Sequence, residues 1–475
     1  MRAGLTRVDN GCSPCPPVPT GTLRLRYRAI DRNPTDNARQ SSTSVAASGS
    51  SAPGMMTASV LSPKLAFVMV GLPARGKTFI ARKMARYLSW LGYSTQVFNV
   101  GTYRRARLGS RQHHSFFDPQ NEATRTARRE VALAALDDML AFLNAGGDIG
   151  IYDATNNTRE RRALVASRCE KDKLEVVFFE SICNDLAIVE TNIRANKARS
   201  PDYEGVPEEQ AASDFRLRIA HYERGYEEVS ESEGAFVKII DAGRKMAIHR
   251  IQGYLLTRVV HFLLNLHIQP RSVWLTRHGE STFNLLGRIG GDAALSDAGQ
   301  LYAKGLATVV RERIGQHVAV WTSTLRRTTE TAELLGLPFR AWRALDEIDA
   351  GICDGMTYAE IATAMPHEYN ARAADKFRYR YPRGESYQDI IQRLEPVIFE
   401  IEREEAPILI IGHQAVLRAL YAYMMGMPPQ ECPFVSIPLH SLLELEPTAY
   451  GCSARSVDLP PTPQTAAPFS SPRLA

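Results

Sequence analysis

The sequence predicts an α/β protein made of two successive domains, each with a mainly parallel sheet wrapped by helices. Three observations lead to this class. The 475 residues are too many for one hydrophobic core. Short apolar runs alternate with longer helical stretches in two separate blocks, the pattern of strands joined by crossover helices. The first apolar run also ends in a glycine-rich loop that leads directly into a helix-permissive stretch.

Composition and charge narrow the choice of partners. The 57 basic and 52 acidic residues nearly balance, so nothing calls for nucleic acid, and the small positive excess suits anionic small molecules. Seven cysteines without a paired framework favour a reducing, cytoplasmic setting. The Cys12-Ser13-Pro14-Cys15 motif lacks the second pair that a zinc site needs. No membrane span is expected, because the most apolar long segment, 251–268, carries Arg258 and His261.

Composition also sets the predicted domain boundaries. The Ser-, Pro- and Arg-rich segment 1–60 is expected to be a disordered or regulatory tail, since it cannot bury enough apolar surface to offset its ordering entropy. A transit peptide is the alternative, which Asp9, Asp31 and Asp36 disfavour. The first domain is predicted at 61–270, the second at 271–448, and a Pro-, Ser- and Ala-rich disordered tail at 449–475.

The elements follow from apolar runs and helical stretches taken in order. Strands of the first domain are predicted at 65–70, 95–99, 149–152, 174–179 and 237–240, with helices starting near Lys77, Asn121, Arg159 and Glu208. A long helix is predicted over 245–268, ahead of the boundary at Pro270. Strands of the second domain are predicted at 272–276, 319–321 and 408–411.

The loop after the first strand has the phosphate-binding pattern G-x-x-x-x-G-K-T. Its residues are Gly71, Leu72, Pro73, Ala74, Arg75, Gly76, Lys77 and Thr78. Glycines allow successive backbone N–H groups to face phosphate oxygens at a helix N-terminus. Lys77 is expected to reach the β- and γ-phosphates of ATP, and the Thr78 hydroxyl to bind Mg²⁺.

Further polar residues lie where other strands end. Asp153 ends the 149–152 run, where a carboxylate that organises Mg²⁺ is expected. The run at 95–99 leads to Arg104 and Arg105, and more cations follow at Arg128, Arg161, Lys197 and Arg218. Singly each is an ordinary surface charge. Together they suit phosphoryl transfer to a phosphorylated acceptor, which needs cations for both phosphates.

Several motifs of this half together resemble one family. They are the loop at 71–78, the 99–105 segment, Asp153-Ala154-Thr155-Asn156, Thr158-Arg159-Glu160-Arg161-Arg162 and Ser200-Pro201-Asp202-Tyr203. The family is the bifunctional 6-phosphofructo-2-kinase/fructose-2,6-bisphosphatase, and the resemblance runs from about Leu65 to about Gly451. It implies a P-loop NTPase-like first domain.

The resemblance also implies residue roles in this half. Contacts to fructose 6-phosphate, or neighbours of such contacts, would be Arg104, Arg128, Thr155, Arg161, Lys197, Arg218 and Tyr222. Lys197 would also stabilise the migrating phosphoryl group, and Asn192 to Lys197 would contact the nucleotide. Asp153 and Cys183 match active-site positions, although a cysteine just after a strand is more often buried packing.

The second half has a different signature. Arg277-His278-Gly279 follows an apolar run and resembles the histidine phosphatase and phosphoglycerate mutase superfamily, which implies that fold for this domain. A neutral imidazole is a competent phosphoryl nucleophile near pH 7, and neighbouring arginines offset the developing charge. His413 follows another apolar strand and is expected to donate to the same phosphoryl oxygens.

The resemblance completes the second site. Glu347 matches the general acid, with Asp346 and Asp349 as alternatives, and Arg327 matches a phosphate-binding arginine. The 284–291 loop, with Asn284 and Gly290, supplies polar groups and a close approach of backbone. Residues that match those holding the sugar's second phosphate are Tyr358, Arg372, Lys376, Tyr387, Gln414 and Arg418.

The resemblance implies a bifunctional enzyme that makes fructose 2,6-bisphosphate from ATP and fructose 6-phosphate and hydrolyses it through phosphohistidine, thereby controlling glycolysis and gluconeogenesis. The alternatives are an enzyme running mainly in one direction and a non-catalytic metabolite-sensing scaffold. The expected partners are these small molecules, with no nucleic acid and no membrane. The oligomeric state is open, a homodimer included.

Overall fold

The computed structural model describes residues 64–194, 200–267, 271–448, 451–457 and 459. The predicted tail at 1–60 and most of the predicted tail at 449–475 lie outside these ranges. The described residues belong to one compact unit. Among them, no helix combines the length and apolarity needed to cross a membrane.

The first half contains a six-stranded sheet in the order β2-β3-β1-β4-β5-β6. β1 to β5 run parallel, and β6 pairs antiparallel with β5 at the edge. β1 is entirely apolar and buried, as expected for a central strand covered by helices on both faces. The strands are β1 (Leu65–Val70), β2 (Thr95–Asn99), β3 (Ile149–Asp153), β4 (Glu175–Ile182), β5 (Ala235–Ile240) and β6 (Lys245–His249).

Helices connect the strands of this sheet and carry cationic side chains to its carboxyl edge. They are α1 (Lys77–Trp90), α2 (Val100–Leu108), α3 (Glu122–Asn144), α4 (Arg159–Lys171), α5 (Leu186–Asn192), α6 (Glu208–Glu223) and α7 (Tyr254–Leu264). Asn99, Asn121, Thr158 and Asp185 cap the N-termini of α2, α3, α4 and α5 by accepting hydrogen bonds from backbone N–H groups. These caps explain why several helices begin directly after polar residues.

The second half contains another six-stranded sheet, in the order β12-β11-β7-β10-β8-β9. β7, β10, β8 and β9 are parallel, whereas β11 and β12 form an antiparallel hairpin on the β7 edge. The strands are β7 (Val273–Arg277), β8 (Ala319–Thr322), β9 (Phe339–Ala341), β10 (Ile408–Gly412), β11 (Leu442–Thr448) and β12 (Gly451–Val457). The adjacent strands β7 and β10 end at Arg277 and Gly412, which are paired in register.

The helices of the second half complete its layers. They are α8 (Thr282–Leu285), α9 (Asp297–Val309), α10 (Arg326–Glu333), α11 (Tyr358–Ala364), α12 (Pro366–Ala374), α13 (Tyr387–Arg403) and α14 (Gln414–Met425). α14 starts immediately after β10 and His413, which places the start of this helix at the same sheet edge as β7.

Two sequence predictions about elements were wrong. The predicted helix over 245–268 is instead β6 followed by the shorter α7, because the turn Asp241–Gly243 returns the chain antiparallel to β5. The chain was also expected to be disordered from 449 onwards. Residues 451–457 instead form β12, which pairs with β11 along its whole length.

Helix α1 joins the two halves. A single apolar cluster contains buried residues of α1, α7, α13 and α14. Within it Glu402 on α13 is fully buried and accepts hydrogen bonds from Lys83 at 2.7 Å, Arg86 at 2.6 Å and the Tyr423 hydroxyl at 2.7 Å. The helix that begins at the phosphate-binding loop is therefore fixed at its middle by a charged contact with the second half.

Candidate active sites

The phosphate-binding loop has a backbone that only glycine allows at two points. Gly71 has φ 131°, and a Cβ there would lie 2.4 Å from the Ser181 carbonyl oxygen. Gly76 has φ 83° and is the left-handed N-cap of α1. Both glycines of the motif are therefore required by the backbone path itself, as the sequence pattern indicated.

Side chains of β4 and α5 fix the conformation of the phosphate-binding loop. The Ser181 hydroxyl donates to the Arg75 carbonyl, and Asn192 donates from Nδ2 to the Ala74 carbonyl at 3.1 Å. Lys77 is buried and donates from Nζ to the Leu72 carbonyl at 2.5 Å, inside the curl of the loop. Side chains of β4 and α5 thus position a loop whose N–H groups face an anion at the start of α1.

Asp153 lies at the carboxyl end of β3, where it is only 2% exposed. Parallel register places it opposite Asn99 at the end of β2, and Asn99 donates from Nδ2 to its carboxylate at 2.5 Å. Asp153 and Thr78 line the same cavity. A carboxylate and a hydroxyl at the edge of a phosphate-binding loop are hard oxygen ligands, so this pair suits Mg²⁺.

An arginine pocket, made of Arg104, Arg128, Arg161 and Arg218, adjoins this loop. Arg104 is buried and donates from Nη2 to both carboxylate oxygens of Asp202, at 2.7 and 2.5 Å. Burial lowers the pKa of Arg104, and the nearby Arg218 adds to this effect. Arg104 Nε and Nη1 and Arg218 Nε are buried without a hydrogen-bond partner among the described residues. Donors in this condition favour an anionic ligand.

The remaining walls of the arginine pocket are equally well defined. The Arg218 guanidinium lies 3.6 Å from the Phe117 ring centroid, and Arg128 donates to the Asp118 carbonyl at 2.9 Å. Arg161 donates from Nε to Asn156 at 3.1 Å. Thr155 and Tyr222 also line the cavity, which has a volume of about 1170 Å³ and extends to the phosphate-binding loop. One continuous cavity therefore has room for a nucleotide and a phosphorylated acceptor.

The second site is centred on His278, which follows β7 and is almost completely buried. Its Nδ1 lies 2.7 Å from the Gly279 carbonyl, so Nδ1 carries the proton and Nε2 carries the lone pair. Burial, with Arg327 and Arg277 nearby, holds the pKa of His278 well below its usual value. His278 is therefore neutral at pH 7, and its Nε2 accepts a hydrogen bond from Arg327 Nε at 3.2 Å. A neutral imidazole nitrogen with a lone pair can act as a phosphoryl nucleophile.

His413 lies beside His278, with ring centroids 5.1 Å apart. Its Nε2 is 2.7 Å from the Ser323 hydroxyl, and its buried Nδ1 has no partner in the part of the chain that the structure describes. Burial and Arg327 hold the pKa of His413 well below its usual value. The Ser323 contact fixes the ring, which leaves Nδ1 to meet a ligand atom.

Two arginines surround the histidine pair. Burial lowers the pKa of Arg277 to about 10, with Arg418 and Arg327 contributing and Glu347 opposing. Arg277 donates to the Ile437 carbonyl at 3.3 Å, whereas its buried Nε has no partner among the described residues. Arg327 donates to the Gly291 carbonyl at 2.6 Å. These fixed cations can hold a phosphoryl group next to His278 Nε2.

Glu347 occupies the rim of this site. Its carboxylate accepts hydrogen bonds from the backbone N–H of Ala415, at 3.1 Å, and of Ile348, at 3.0 Å. The first of these N–H groups belongs to the N-terminal turn of α14, which directly follows His413. The alternatives are engaged elsewhere: Asp346 accepts from Thr324 at 2.8 Å, and Asp349 from Gly351 at 2.8 Å. Of the three carboxylates, Glu347 is thus the one that contacts the turn next to His413.

A second basic cluster lies next to the histidine site. Arg372 donates to the Tyr358 hydroxyl at 2.9 Å, and Arg418 donates to the Val435 carbonyl at 2.6 Å. Burial and the charges of Arg418 and Arg372 lower the pKa of Lys376 to about 8. Tyr387, at the start of α13, is within 3.4 Å of Arg418. Mutual repulsion within such a cluster is relieved when an anion binds.

The loop between α8 and α9 closes the other side. Asn284 forms a capping box with Ser281 and so fixes the chain just after His278. Gly290 has φ 71°, and a Cβ there would clash with the Asp354 carboxylate, which accepts from the Gly291 N–H at 2.8 Å. Gln414 is the first residue of α14.

Comparison with known proteins decides the family. A 6-phosphofructo-2-kinase family model matches residues 54–270, and a histidine phosphatase superfamily (branch 1) model matches residues 273–459. The 6-phosphofructo-2-kinase/fructose-2,6-bisphosphatase of Gallus gallus is 48% identical over 396 residues, which cover 82% of this chain and 84% of that protein. The chain belongs to the 6-phosphofructo-2-kinase/fructose-2,6-bisphosphatase family.

Two further relatives agree with this membership. The protein of that name from Arabidopsis thaliana is 51% identical over 413 residues, covering 84% of this chain and 55% of that protein, so this chain spans about half its length. The 6-phosphofructo-2-kinase/fructose-2,6-bisphosphatase 3 of Homo sapiens is 47% identical, covering 82% of this chain and 76% of that protein. Among solved structures, the alpha-ribazole phosphatase of Shigella flexneri aligns with 39% of this chain and 94% of that chain, at 26% identity and a TM-score of 0.36.

Lys197 and Cys183 are two further residues that the family resemblance suggested. Lys197 lies outside the described residues. Cys183 is buried at the end of β4 in an apolar cluster that includes Ala74 and Val189, and it is absent from the cavity lining. Burial raises the pKa of its thiol. The structure therefore places Cys183 behind the phosphate-binding loop as packing, which was the alternative reading of the sequence.

Three further residues organise these family sites without having been predicted. Asp202 orients Arg104, and it stood unremarked within the Ser200–Tyr203 motif. Ser323 fixes His413, and it lies in the same Thr322–Thr328 segment as Arg327. Arg393 on α13 donates to the carbonyls of Ala344, at 2.6 Å, and Asp346, at 2.7 Å, and so supports the Glu347 segment. No local pattern marks Arg393, because its partners are distant in sequence.

Proposed function

We propose that the first site transfers the γ-phosphoryl group of ATP to the 2-hydroxyl of fructose 6-phosphate, and that the second removes that phosphoryl group through a phosphohistidine on His278. The observation that carries the proposal is the pairing within one chain of a phosphate-binding loop beside an arginine pocket with a buried neutral histidine between arginines. Family membership supports the same pair of reactions.

In the kinase half the protein's contribution is positioning and charge. Backbone N–H groups of 71–78 hold the nucleotide phosphates, and Lys77 offsets charge that develops on the transferred group. Mg²⁺ would be held by Thr78 and Asp153 and would neutralise charge on the ATP phosphates. The unpartnered nitrogens of Arg104 and Arg218 bind the 6-phosphate, with Arg128 and Arg161 on the adjoining walls.

In the phosphatase half, His278 Nε2 attacks the phosphorus of the 2-phosphate. The phosphorus–oxygen bond to the sugar breaks, and the leaving oxygen takes a proton from Glu347. Water then attacks the phosphohistidine and gives a proton to Glu347, and inorganic phosphate leaves as Nε2 regains its lone pair. Arg277, Arg327 and His413 Nδ1 hold the phosphoryl oxygens during both steps.

The second basic cluster would select the substrate. Tyr358, Arg372, Lys376, Tyr387, Gln414 and Arg418 would bind the 6-phosphate of the bisphosphate, while Asn284 and the backbone at Gly290 complete the pocket for the sugar. A site built for two phosphates discriminates against monophosphates, because its buried cations would otherwise lack a partner.

The setting of the enzyme is also part of the proposal. The five described cysteines are free thiols, which suits the reducing cytoplasm. The oligomeric state stays open, a homodimer included.

The test is a pair of measurements on one preparation, namely transfer of label from γ-labelled ATP to sugar phosphate and trapping of label from 2-labelled bisphosphate on protein. Lys77→Met should abolish the transfer and leave hydrolysis largely intact, since the loop serves only the first site. His278→Ala should abolish both hydrolysis and the acid-labile phosphoprotein while sparing the transfer. Equal loss of both activities in either folded variant contradicts two separate sites.

A further inference from the structure

A cluster of histidines and carboxylates lies beside the arginine pocket and has no role in the chemistry described above. It joins the 3₁₀ turn His114–Phe117 to helix α6. His113, His114 and Asp214 each present a ligand atom, and the three atoms lie within 4.8 Å of one another. The shortest measured pair, His113 Nε2 and Asp214 Oδ1, is separated by 3.6 Å.

The cluster has the donor set of a transition-metal site. Zn²⁺ binds histidine nitrogen at about 2.0–2.1 Å, so neighbouring ligand atoms of a tetrahedral site lie about 3.3 Å apart. The separation between His113 and Asp214 is close to this value. His114 Nδ1 and His221 Nε2 are 3.1 Å apart, which fits a hydrogen bond that orients His114.

Neighbouring groups already orient the candidate ligands. His113 Nδ1 lies 3.0 Å from the Ser115 hydroxyl, which leaves Nε2 facing Asp214. The Tyr203 hydroxyl donates to Asp214 Oδ2 at 2.7 Å, whereas Asp214 Oδ1 faces His113 Nε2 and also accepts from the His114 backbone N–H at 3.1 Å. His221 Nδ1 lies 3.5 Å from the Asp118 carboxylate. His113, Asp214 and His221 are thus each oriented by a neighbouring polar group, as outer-shell partners orient the ligands of metal sites.

We propose that His113, His114 and Asp214 bind one divalent transition-metal ion, of which Zn²⁺ is the best match, at the rim of the arginine pocket. His221 acts as the partner that orients His114. Two imidazoles and a single carboxylate favour Zn²⁺, Co²⁺ or Ni²⁺ over Mg²⁺, which prefers oxygen ligands.

Bound metal would act on the kinase site through the turn that it fixes. That turn carries Phe117 beneath the Arg218 guanidinium, and the following Asp118 carbonyl accepts from Arg128. An ion that ties the turn to α6 therefore holds two arginines of the pocket in their binding positions. Preordering of this kind should lower the KM for fructose 6-phosphate by about fivefold, a consequence that rests on the proposed kinase function.

The experiment uses the full chain after treatment with a chelator. Co²⁺ is titrated in excess Mg²⁺ and without nucleotide, and the visible absorption of tetrahedral Co²⁺ reports binding, with Zn²⁺ displacing it. One ion per chain is expected. His113→Gln should weaken binding at least tenfold, and because His113 is exposed, folding should not suffer. The control is His317→Gln, an exposed histidine in the other half, which should bind as the unmodified chain does.

The outcomes separate the ion site from the kinase function. Absence of saturable binding to the unmodified chain, or equal binding by His113→Gln, overturns the metal site. His278→Gln excludes a signal from the phosphatase histidines, and loss of the signal in that variant would also overturn the assignment. If Co²⁺ binds as expected but no sugar phosphorylation is found, the metal site stands and the proposed function of the kinase half fails. If both hold, Zn²⁺ should lower the KM for fructose 6-phosphate in the unmodified chain and leave that of His113→Gln unchanged; an equal KM shift in both refutes the coupling.

Discussion

Glu402→Gln should destabilise the whole molecule while leaving every catalytic residue in place. The side chain of Glu402 is 1% exposed and bonds to Lys83 and Arg86 across the junction of the two halves. Glutamine keeps the size and one acceptor but removes the carboxylate that, among the described residues, is the only one bonded to these cations. Breaking a buried ion pair in this way leaves uncompensated charge and typically costs about 3–5 kcal/mol.

The pKa values give a second estimate of the same cost. Burial alone would raise the pKa of Glu402, but Lys83 and Arg86 outweigh it and lower the pKa from 4.5 to about 2. A difference of that size corresponds to about 3 kcal/mol of stabilisation. Burial, together with the nearby charges of Arg86 and Arg271, lowers the pKa of Lys83 to about 8 in spite of Glu402.

The sign of the pH dependence follows from these values. The folded-state pKa of Glu402 lies below its unfolded value, so its stabilisation is fully present above about pH 4.5 and is lost as the pH falls towards 2. The gap between the native and Glu402→Gln chains should therefore shrink from pH 5 to pH 3. It should also narrow near pH 9, where Lys83 is largely neutral and leaves one cation fewer to compensate.

The assay is denaturant unfolding at several pH values, followed by tryptophan fluorescence. Trp90 on α1 packs edge-on against Tyr423, with ring centroids 5.6 Å apart, and so reports on the junction. The matched control is Glu400→Gln on the same helix, because Glu400 bonds to the exposed Arg403. It should cost less than about 1 kcal/mol. The reasoning is refuted if the two variants lose the same free energy at pH 7, or if the loss in Glu402→Gln does not depend on pH.

Two further predictions concern the active sites. Glu347→Gln should slow phosphohistidine formation by about a hundredfold to ten-thousandfold, the usual worth of a general acid, while binding of the bisphosphate changes far less; single-turnover kinetics against pH check this, and an unchanged rate and pH profile would assign the proton to another group. Asp202→Asn should raise the KM for fructose 6-phosphate by about tenfold or more, because Arg104 loses a charge-assisted bond of about 1.5–3 kcal/mol that orients it. Steady-state kinetics of both reactions check this, with unchanged hydrolysis as the internal control. A lower KM would mean that Asp202 repels the substrate instead of orienting Arg104.

The central strands and the residues at their carboxyl ends were predictable, because a strand that is buried on both faces has a continuous apolar sequence. β1 and β10 are continuous apolar runs, and in a parallel sheet such runs end at one edge. β3 and β7 are also mainly apolar and buried, so Asp153 and His278, which lie at their carboxyl ends, could be placed at sheet edges from sequence alone. β6 was missed because its five residues resemble a helical stretch, and what makes them a strand is pairing with β5 after a turn in which Asp241 and Ala242 have positive φ.

The residues that orient the catalytic groups were not predictable in the same way. Arg104 and Asp202 are 98 positions apart in sequence, and the Ser323 contact to His413 spans 90 positions. Each side chain alone is an ordinary surface-type residue, and only the fold makes it a buried partner. A sequence motif indicates where a reacting residue lies, whereas the residue that orients it is defined by contacts in the folded chain.

The position of α1 explains why two chemically separate active sites should depend on the same free energy of unfolding. The helix begins at Lys77 and Thr78 in the kinase site, and a turn and a half later Lys83 meets Glu402 of the other half. Substitution of Lys77 in the kinase site or of His278 in the phosphatase site leaves the Lys83–Glu402 contact intact. Each substitution should therefore abolish one reaction only. Loss of the Glu402 charge instead acts on the apolar cluster that both halves share. Because that cluster holds α13 and α14, whose N-terminal turns carry Tyr387 and Gln414, a loosened junction should lower the resistance of both activities to denaturant together.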